Sequence, residues 1–161
     1  MSRKHTRRTP RPVHHPFIVA RNFATLLTAD ERAKVMTPLG AAAERMRRGL
    51  ASDNDLAVLT GSLLMAQTIE SQGVVRGLAG HLDEIDRALV AIEARATQAG
   101  PWRAPTLYFN ELEALQLMLD LHKFQIEKLS YGEFRRAYDV TEAQVRSRGG
   151  QVVRESEVAH G

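Results

Sequence analysis

The chain has 161 residues and a formal net charge of +3, with 43% hydrophobic and 25% charged residues. This size and composition suit one packed domain. The absence of cysteine excludes disulfides, a thiol nucleophile, thiolate zinc sites and iron–sulfur clusters. No apolar run reaches the roughly 20 residues of a membrane span, and the basic N-terminus lacks the apolar region of a secretory signal. We therefore expect a soluble, cytoplasmic protein without membrane contact.

The positive charge is concentrated at the N-terminus. Residues 1–15 carry five basic side chains and no acidic one, whereas residues 16–161 carry 17 basic and 19 acidic side chains. Pro10, Pro12 and Pro16 disfavour a helix, so we predict a disordered basic arm over residues 1–16. Such an arm binds polyphosphates through counterion release, and a solubilising tail is the alternative. The candidate phosphate ligands are Arg3, Lys4, Arg7, Arg8 and Arg11.

Short helices are predicted between the arm and residue 49. The first covers about residues 17–27, and Thr28 with Glu31 forms a capping box that begins a second. Pro38 suits the first turn of a third helix. Basic residues near the end of that helix would extend the phosphate-binding surface of the arm. They are Arg45, Arg47 and Arg48.

Three long helices are predicted at about residues 53–72, 74–98 and 106–129. Ser52 and Thr106 are the expected N-caps of the first and third. In the second helix, apolar residues alternate spacings of three and four over about three heptads, which is the pattern of a helix-packing seam. These residues are Val75, Leu78, Leu82, Ile85, Leu89, Ile92 and Ala96.

The third long helix has two apolar stripes, so we expect it to be central. The first stripe contains Leu112, Leu115, Leu119, His122, Ile126 and Leu129, and the second contains Tyr108, Leu117, Leu121 and Phe124. The predicted fold is an all-α bundle of three long helices with short flanking helices. A single domain would cover residues 17–148, followed by a flexible tail over 149–161. The apolar seams of the long helices pack against each other either within one chain or between two copies of it. The second arrangement, a homodimer, remains an open alternative.

Few polar side chains are placed for catalysis. Bundle metal sites use several inward carboxylates and Glu-x-x-His pairs, whereas His81 and Glu84 have the reverse order, which occurs once. No nucleophile elbow or phosphate-binding loop is present. We therefore expect no enzyme activity, no metal and no cofactor. The enzymatic alternative requires His81, Glu84, His122 and Glu127 to converge, and His122 is a candidate for a shifted pKa or a dimer contact.

The segment at residues 130–150 contains the sequence EFRRAYDVTEAQVRSR. It resembles the helix-turn-helix of bacterial DNA-binding proteins. The resemblance implies a first helix, a turn at Asp139 and a recognition helix capped by Thr141 that enters the major groove. Arg135 and Arg148 depart from the pattern because small or apolar residues usually occupy those positions. The alternative is two short capped helices that close the bundle. The implied DNA-contacting residues include Gln144, Arg146 and Arg148.

These observations favour a non-enzymatic helical accessory or regulatory protein of bacterial or phage type. It would associate with nucleic acid, DNA or RNA, through the basic arm, and the C-terminal segment would add base contacts. The alternative is a protein-binding adaptor or inhibitor that acts through an acidic helix face or a homodimer seam.

Overall fold

The computed structural model describes residues 16–149. Within this range the chain forms six helices and no strand, so the predicted all-α class is confirmed. The arm residues Arg3, Lys4, Arg7, Arg8 and Arg11 and most of the predicted tail lie outside the described residues. The helices are α1 (Pro16–Ala24), α2 (Ala29–Arg47), α3 (Asp53–Gln72), α4 (Ala79–Thr97), α5 (Phe109–Lys128) and α6 (Tyr131–Ser147).

The three predicted long helices correspond to α3, α4 and α5, and the α4 seam from Leu82 to Ala96 is buried. α4 begins at Ala79 because Gly73 and Gly77 both have positive φ angles and interrupt the helix. The Glu70 carboxylate accepts hydrogen bonds from the backbone N–H groups of Gly77 (2.7 Å) and Leu78 (3.1 Å). A side chain from α3 therefore holds the loop that begins α4.

Helices α2 to α5 form a four-helix bundle, with contacts between α2 and α3, α3 and α4, α4 and α5, and α2 and α5. α6 packs on the outside of α3, and α1 packs on α6. α3 contacts α2, α4, α5 and α6, and the 106–129 helix, which was predicted to be central, contacts α2, α3 and α4. α3 is thus the helix with the most neighbours. Its buried residues belong to two apolar clusters, one inside the bundle and one shared with α6.

α2 is one helix, so the prediction of a new helix at Pro38 is wrong. An interior proline costs roughly 3 kcal/mol. Leu39 and Met46, which follow the proline in the same helix, are fully buried against the bundle. Burial of each such side chain contributes about 1.5–3 kcal/mol, which offsets the cost of the proline and keeps α2 continuous.

α6 is also continuous, so neither the helix-turn-helix nor the pair of short helices is present. Asp139 lies in the interior of α6, so it forms no turn. Thr141 is buried, and its hydroxyl donates to the Ala137 carbonyl (2.8 Å) and lies 3.2 Å from the Thr68 hydroxyl of α3. Thr141 therefore packs α6 against α3 and caps no helix.

Candidate nucleic-acid interface

The chain enters the described fold through α1, which is attached to the beginning of α6. The Leu27 N–H donates to the Leu129 carbonyl (3.3 Å), and the Tyr131 N–H donates to the Thr25 carbonyl (2.8 Å). This antiparallel pairing directs α1 back along α6. Residues 1–15, with their five basic side chains, directly precede α1 in the chain.

The contact between α1 and α6 depends on the absence of a side chain at Gly132. A Cβ atom at this position would lie 2.9 Å from the Phe23 carbonyl oxygen and 3.0 Å from its ring. The Phe23 ring meets the Tyr131 ring edge to face, with the ring centroids 5.5 Å apart. Glycine thus lets the α1 backbone approach α6 closely enough for the aromatic pair to form.

The solvent-facing side of α6 carries several arginines at different levels. Arg135 pairs with Asp139 (3.3 Å), and Arg146 pairs with Glu142 (2.6 Å), each within one turn of the helix. Arg136 is exposed and has no acidic partner within residues 16–149. We call the set Arg135, Arg136, Arg146 and Arg148 the α6 arginine face.

Sequence reasoning identified only part of this face. It selected Arg146 and Arg148 together with the exposed Gln144, but it treated Arg135 as a departure from a motif and gave Arg136 no role. The arginine doublet Arg135-Arg136, on the polar side of an amphipathic helix, indicates the exposed face in the sequence. The expected turn at residue 139 concealed it, because that turn would have separated the doublet from Arg146.

The second group of predicted phosphate ligands is largely paired with carboxylates. Arg45 Nε donates to Asp55 Oδ1 (2.9 Å), and this hydrogen bond holds the pKa of the buried Asp55 carboxyl below its ordinary value. Arg47 and Arg48 both pair with Glu44, at 3.4 and 2.8 Å. Arg45 therefore fixes the connection between α2 and α3, and the three arginines present little net charge.

The charges of the six helices divide the molecule into two parts. α3, α4 and α5 contain eleven acidic and four basic residues, whereas α1, α2 and α6 contain six acidic and eight basic residues. The arginines that cap α2 and α6 add two further positive charges to the second group. The negative charge is therefore concentrated in α3, α4 and α5, and the excess of positive charge lies in α1, α2 and α6.

The residues considered for catalysis do not converge. His81 and Glu84 are exposed on α4, whereas His122 is buried in α5. Burial lowers the pKa of His122 to about 4, against a smaller opposing effect of a hydrogen bond with Gln125. No group of three or more metal-binding side chains occurs among the described residues.

Two open grooves lie on the surface of the bundle. A groove of about 330 Å³ separates α2 from α5, and one of about 280 Å³ separates α4 from α5. The predicted second stripe of α5 is not bare, since Leu117 and Leu121 are half-buried against the core and only its ends, Tyr108 and Phe124, are exposed. This arrangement removes the continuous apolar face that a helix-binding adaptor would use on α5.

Comparisons with known proteins identify no relative of this chain. No protein-family model, no curated protein and no solved structure matches it. In the part of the chain that the structure describes, no helix is both long enough and apolar enough to cross a membrane.

Proposed function

We propose that this protein is a small helical accessory factor that associates with nucleic acid through phosphate contacts. Residues 1–15 and the α6 arginine face would form the binding surface. The observation that carries the proposal is the docking of α1 on α6, because five basic residues directly precede α1 in the chain and α6 carries the exposed arginines. Basic groups close to one another bind a polyphosphate together, because each contact releases counterions.

This surface favours binding that is independent of sequence. α6 lies with one side against α3 and has no separate recognition helix, so its arginines are suited to phosphate oxygens rather than to base edges. The Arg135–Asp139 pair is exposed, and Arg146 is exposed beside a largely covered Glu142; each pair spans one turn of α6. Pairs of this kind contribute only about 0.3–0.5 kcal/mol, so the arginines can exchange carboxylates for phosphates at little cost.

The first experiment measures affinity for a short duplex over a series of salt concentrations. A full-length variant with serine in place of Arg3, Lys4, Arg7, Arg8 and Arg11 should bind more weakly. The slope of log affinity against log salt should fall by about 0.9 for each phosphate that the variant no longer neutralises. Arg136→Ala should reduce the slope by the amount expected for about one phosphate, and Arg87→Ala on the acidic side of the molecule is the matched control.

The same titration also tests whether binding depends on the sequence of the duplex. Duplexes of unrelated sequence should bind with nearly equal affinity, because phosphate contacts carry no sequence information. Equal affinities and slopes for the serine variant and the natural protein would show that the arm does not bind nucleic acid.

A further inference from the structure

The groove between α2 and α5 has one wall of small residues and one wall of large residues. Gly40 and Ala43 form the α2 wall, and a Cβ atom at Gly40 would meet no atom within 4 Å. Leu112 and Leu119 form the α5 wall and are half-buried, while Leu115 is fully buried at the base. The face is therefore concave beside α2 and carries leucine side chains beside α5.

The same face carries Arg47 and Glu113, which do not pair with each other, and Glu44, whose charge is taken up by Arg47 and Arg48. Arg47 borders the groove from α2, and Glu113 borders it from α5. Glu113 has no ion-pair partner anywhere in the described range. Arg47 reaches only Glu44, at 3.4 Å, and Glu44 makes a closer pair with Arg48 (2.8 Å). Arg47 and Glu113 are thus available to a partner.

The most exposed large apolar side chains lie at the end of the bundle where this groove opens. Phe109 is 76% exposed and lies one turn before Leu112 and Glu113 on α5. Leu50 is 69% exposed and lies in the short connection after α2. Among the described large hydrophobic residues, these two are the most exposed. Water contact with both is unfavourable, and a partner that covers this end would remove it.

We propose that a second copy of this chain covers the face, with a two-fold axis parallel to the groove. Such an axis places α2 of each copy against α5 of the other, so the leucine wall of one copy meets the small-residue wall of its partner. The same rotation brings Arg47 to the level of the partner's Glu113 and Phe109 to the level of the partner's Leu50. A single two-fold rotation therefore brings complementary shapes, opposite charges and exposed apolar side chains of the two copies together.

The size of the face sets the expected strength of the dimer. α2 and α5 have 19 and 20 residues, so each is about 30 Å long. Only part of each helix borders the groove, so we expect the face to bury less than the roughly 800 Å² per copy of a standard interface. We therefore expect a reversible dimer whose population rises with protein concentration.

Sedimentation velocity over a concentration series tests the dimer without nucleic acid. The natural protein should shift from monomer to dimer as its concentration rises, and Phe109→Asp should remain monomeric at concentrations where the natural protein is dimeric. The matched control is Val90→Asp, which places the same charge at a 57% exposed position on α4 and should dimerise normally. A natural protein that stays monomeric at all concentrations overturns the proposal and leaves the groove to another occupant.

A charge exchange tests the two-fold arrangement. Arg47→Glu and Glu113→Arg should each be monomeric, because each places two like-charged pairs across the axis. An equimolar mixture of the two variants should form a heterodimer, since both pairs are then attractive. Circular dichroism melts verify that each variant is folded. A mixture that remains monomeric while both variants are folded overturns the arrangement.

Discussion

At the scale of single residues, a buried ion pair joins α4 to α5. The Arg95 guanidinium donates to both carboxylate oxygens of Glu111, at 2.7 and 2.5 Å, and lies over the Tyr108 ring. Glu111 is buried and also accepts the Tyr108 backbone N–H (2.8 Å). Burial acts to raise the pKa of Glu111, but the hydrogen bonds from Arg95 and Tyr108 outweigh it and hold the pKa below its ordinary value. Glu111 thus both begins α5 and anchors it to α4.

Removal of the Glu111 charge should therefore destabilise the bundle. Glu111→Gln leaves Arg95, which is only 27% exposed, without its carboxylate partner. Loss of one member of such a pair costs on the order of 2–4 kcal/mol. Urea unfolding measures the difference, and Glu127→Gln, at an exposed position on the same helix, should change the unfolding free energy by less than about 0.5 kcal/mol. Equal effects of the two substitutions would contradict this role of the ion pair.

His122 should make the stability of the fold depend on pH. Its pKa is about 4 in the folded protein and has an ordinary value of 6.5. As the pH falls through this interval, the unfolded chain binds a proton that the native state does not, so the native state loses stability. The loss should approach about 3 kcal/mol at pH 4. Unfolding free energies measured from pH 7 to pH 4 determine this slope.

A matched pair of variants assigns that slope to His122. His122→Leu should flatten the dependence on pH, because the replacement has no proton to bind. His81→Leu changes an exposed histidine on α4 and should leave the dependence unchanged. A His122→Leu variant with the slope of the natural protein would show that other groups cause the loss.

At the scale of helices, the attachment of α1 to α6 depends on one glycine. Gly132→Val places side-chain atoms against the Phe23 backbone and ring, and a clash of this kind costs about 1–3 kcal/mol. Because α1 lies outside the four-helix bundle, we expect the variant to release α1 while the bundle remains folded. Hydrogen exchange should show faster exchange in α1 and unchanged protection in α3 and α4.

Gly61→Ala is the control for that substitution. Gly61 lies inside α3, and a Cβ atom there meets no other atom within 4 Å. Alanine favours a helix over glycine by about 0.5–1 kcal/mol, so this variant should be slightly more stable than the natural protein. Unchanged exchange in α1 of Gly132→Val would show that the close approach is not needed to hold α1.

At the scale of the whole molecule, the two proposed surfaces belong to different parts of the fold. The α6 arginine face belongs to the helix that packs outside α3, whereas the α2–α5 face belongs to the four-helix bundle itself. The acidic helices α3, α4 and α5 supply most of the negative charge. The proposed phosphate-binding surface and the proposed dimer face therefore share no residue.

The sequence by itself determined the features that depend on residues close together in the chain. The capping boxes at Thr28, Ser52 and Ser130 are all formed as local pairs of a hydroxyl and a carboxylate. The seam of α4 is buried because a spacing of three and four places its apolar residues on one side of any helix. The all-α class and the three long helices follow from these local rules, as does the separation of the charges along the chain.

Only the tertiary structure decided where contacts between residues far apart in the chain stabilise a helix that the local sequence disfavours. Packing against the bundle keeps α2 continuous through Pro38, and contact with Thr68 makes Thr141 an interior residue of α6 rather than a cap. The pairing of Arg45 with Asp55 and the approach of α1 to Gly132 likewise join residues whose proximity no local pattern encodes. The burial of side chains such as Leu39 and Met46 outweighed the local cost of Pro38, which is roughly 3 kcal/mol. Packing between helices thus determined the helix boundaries. It also determined which arginines remain exposed.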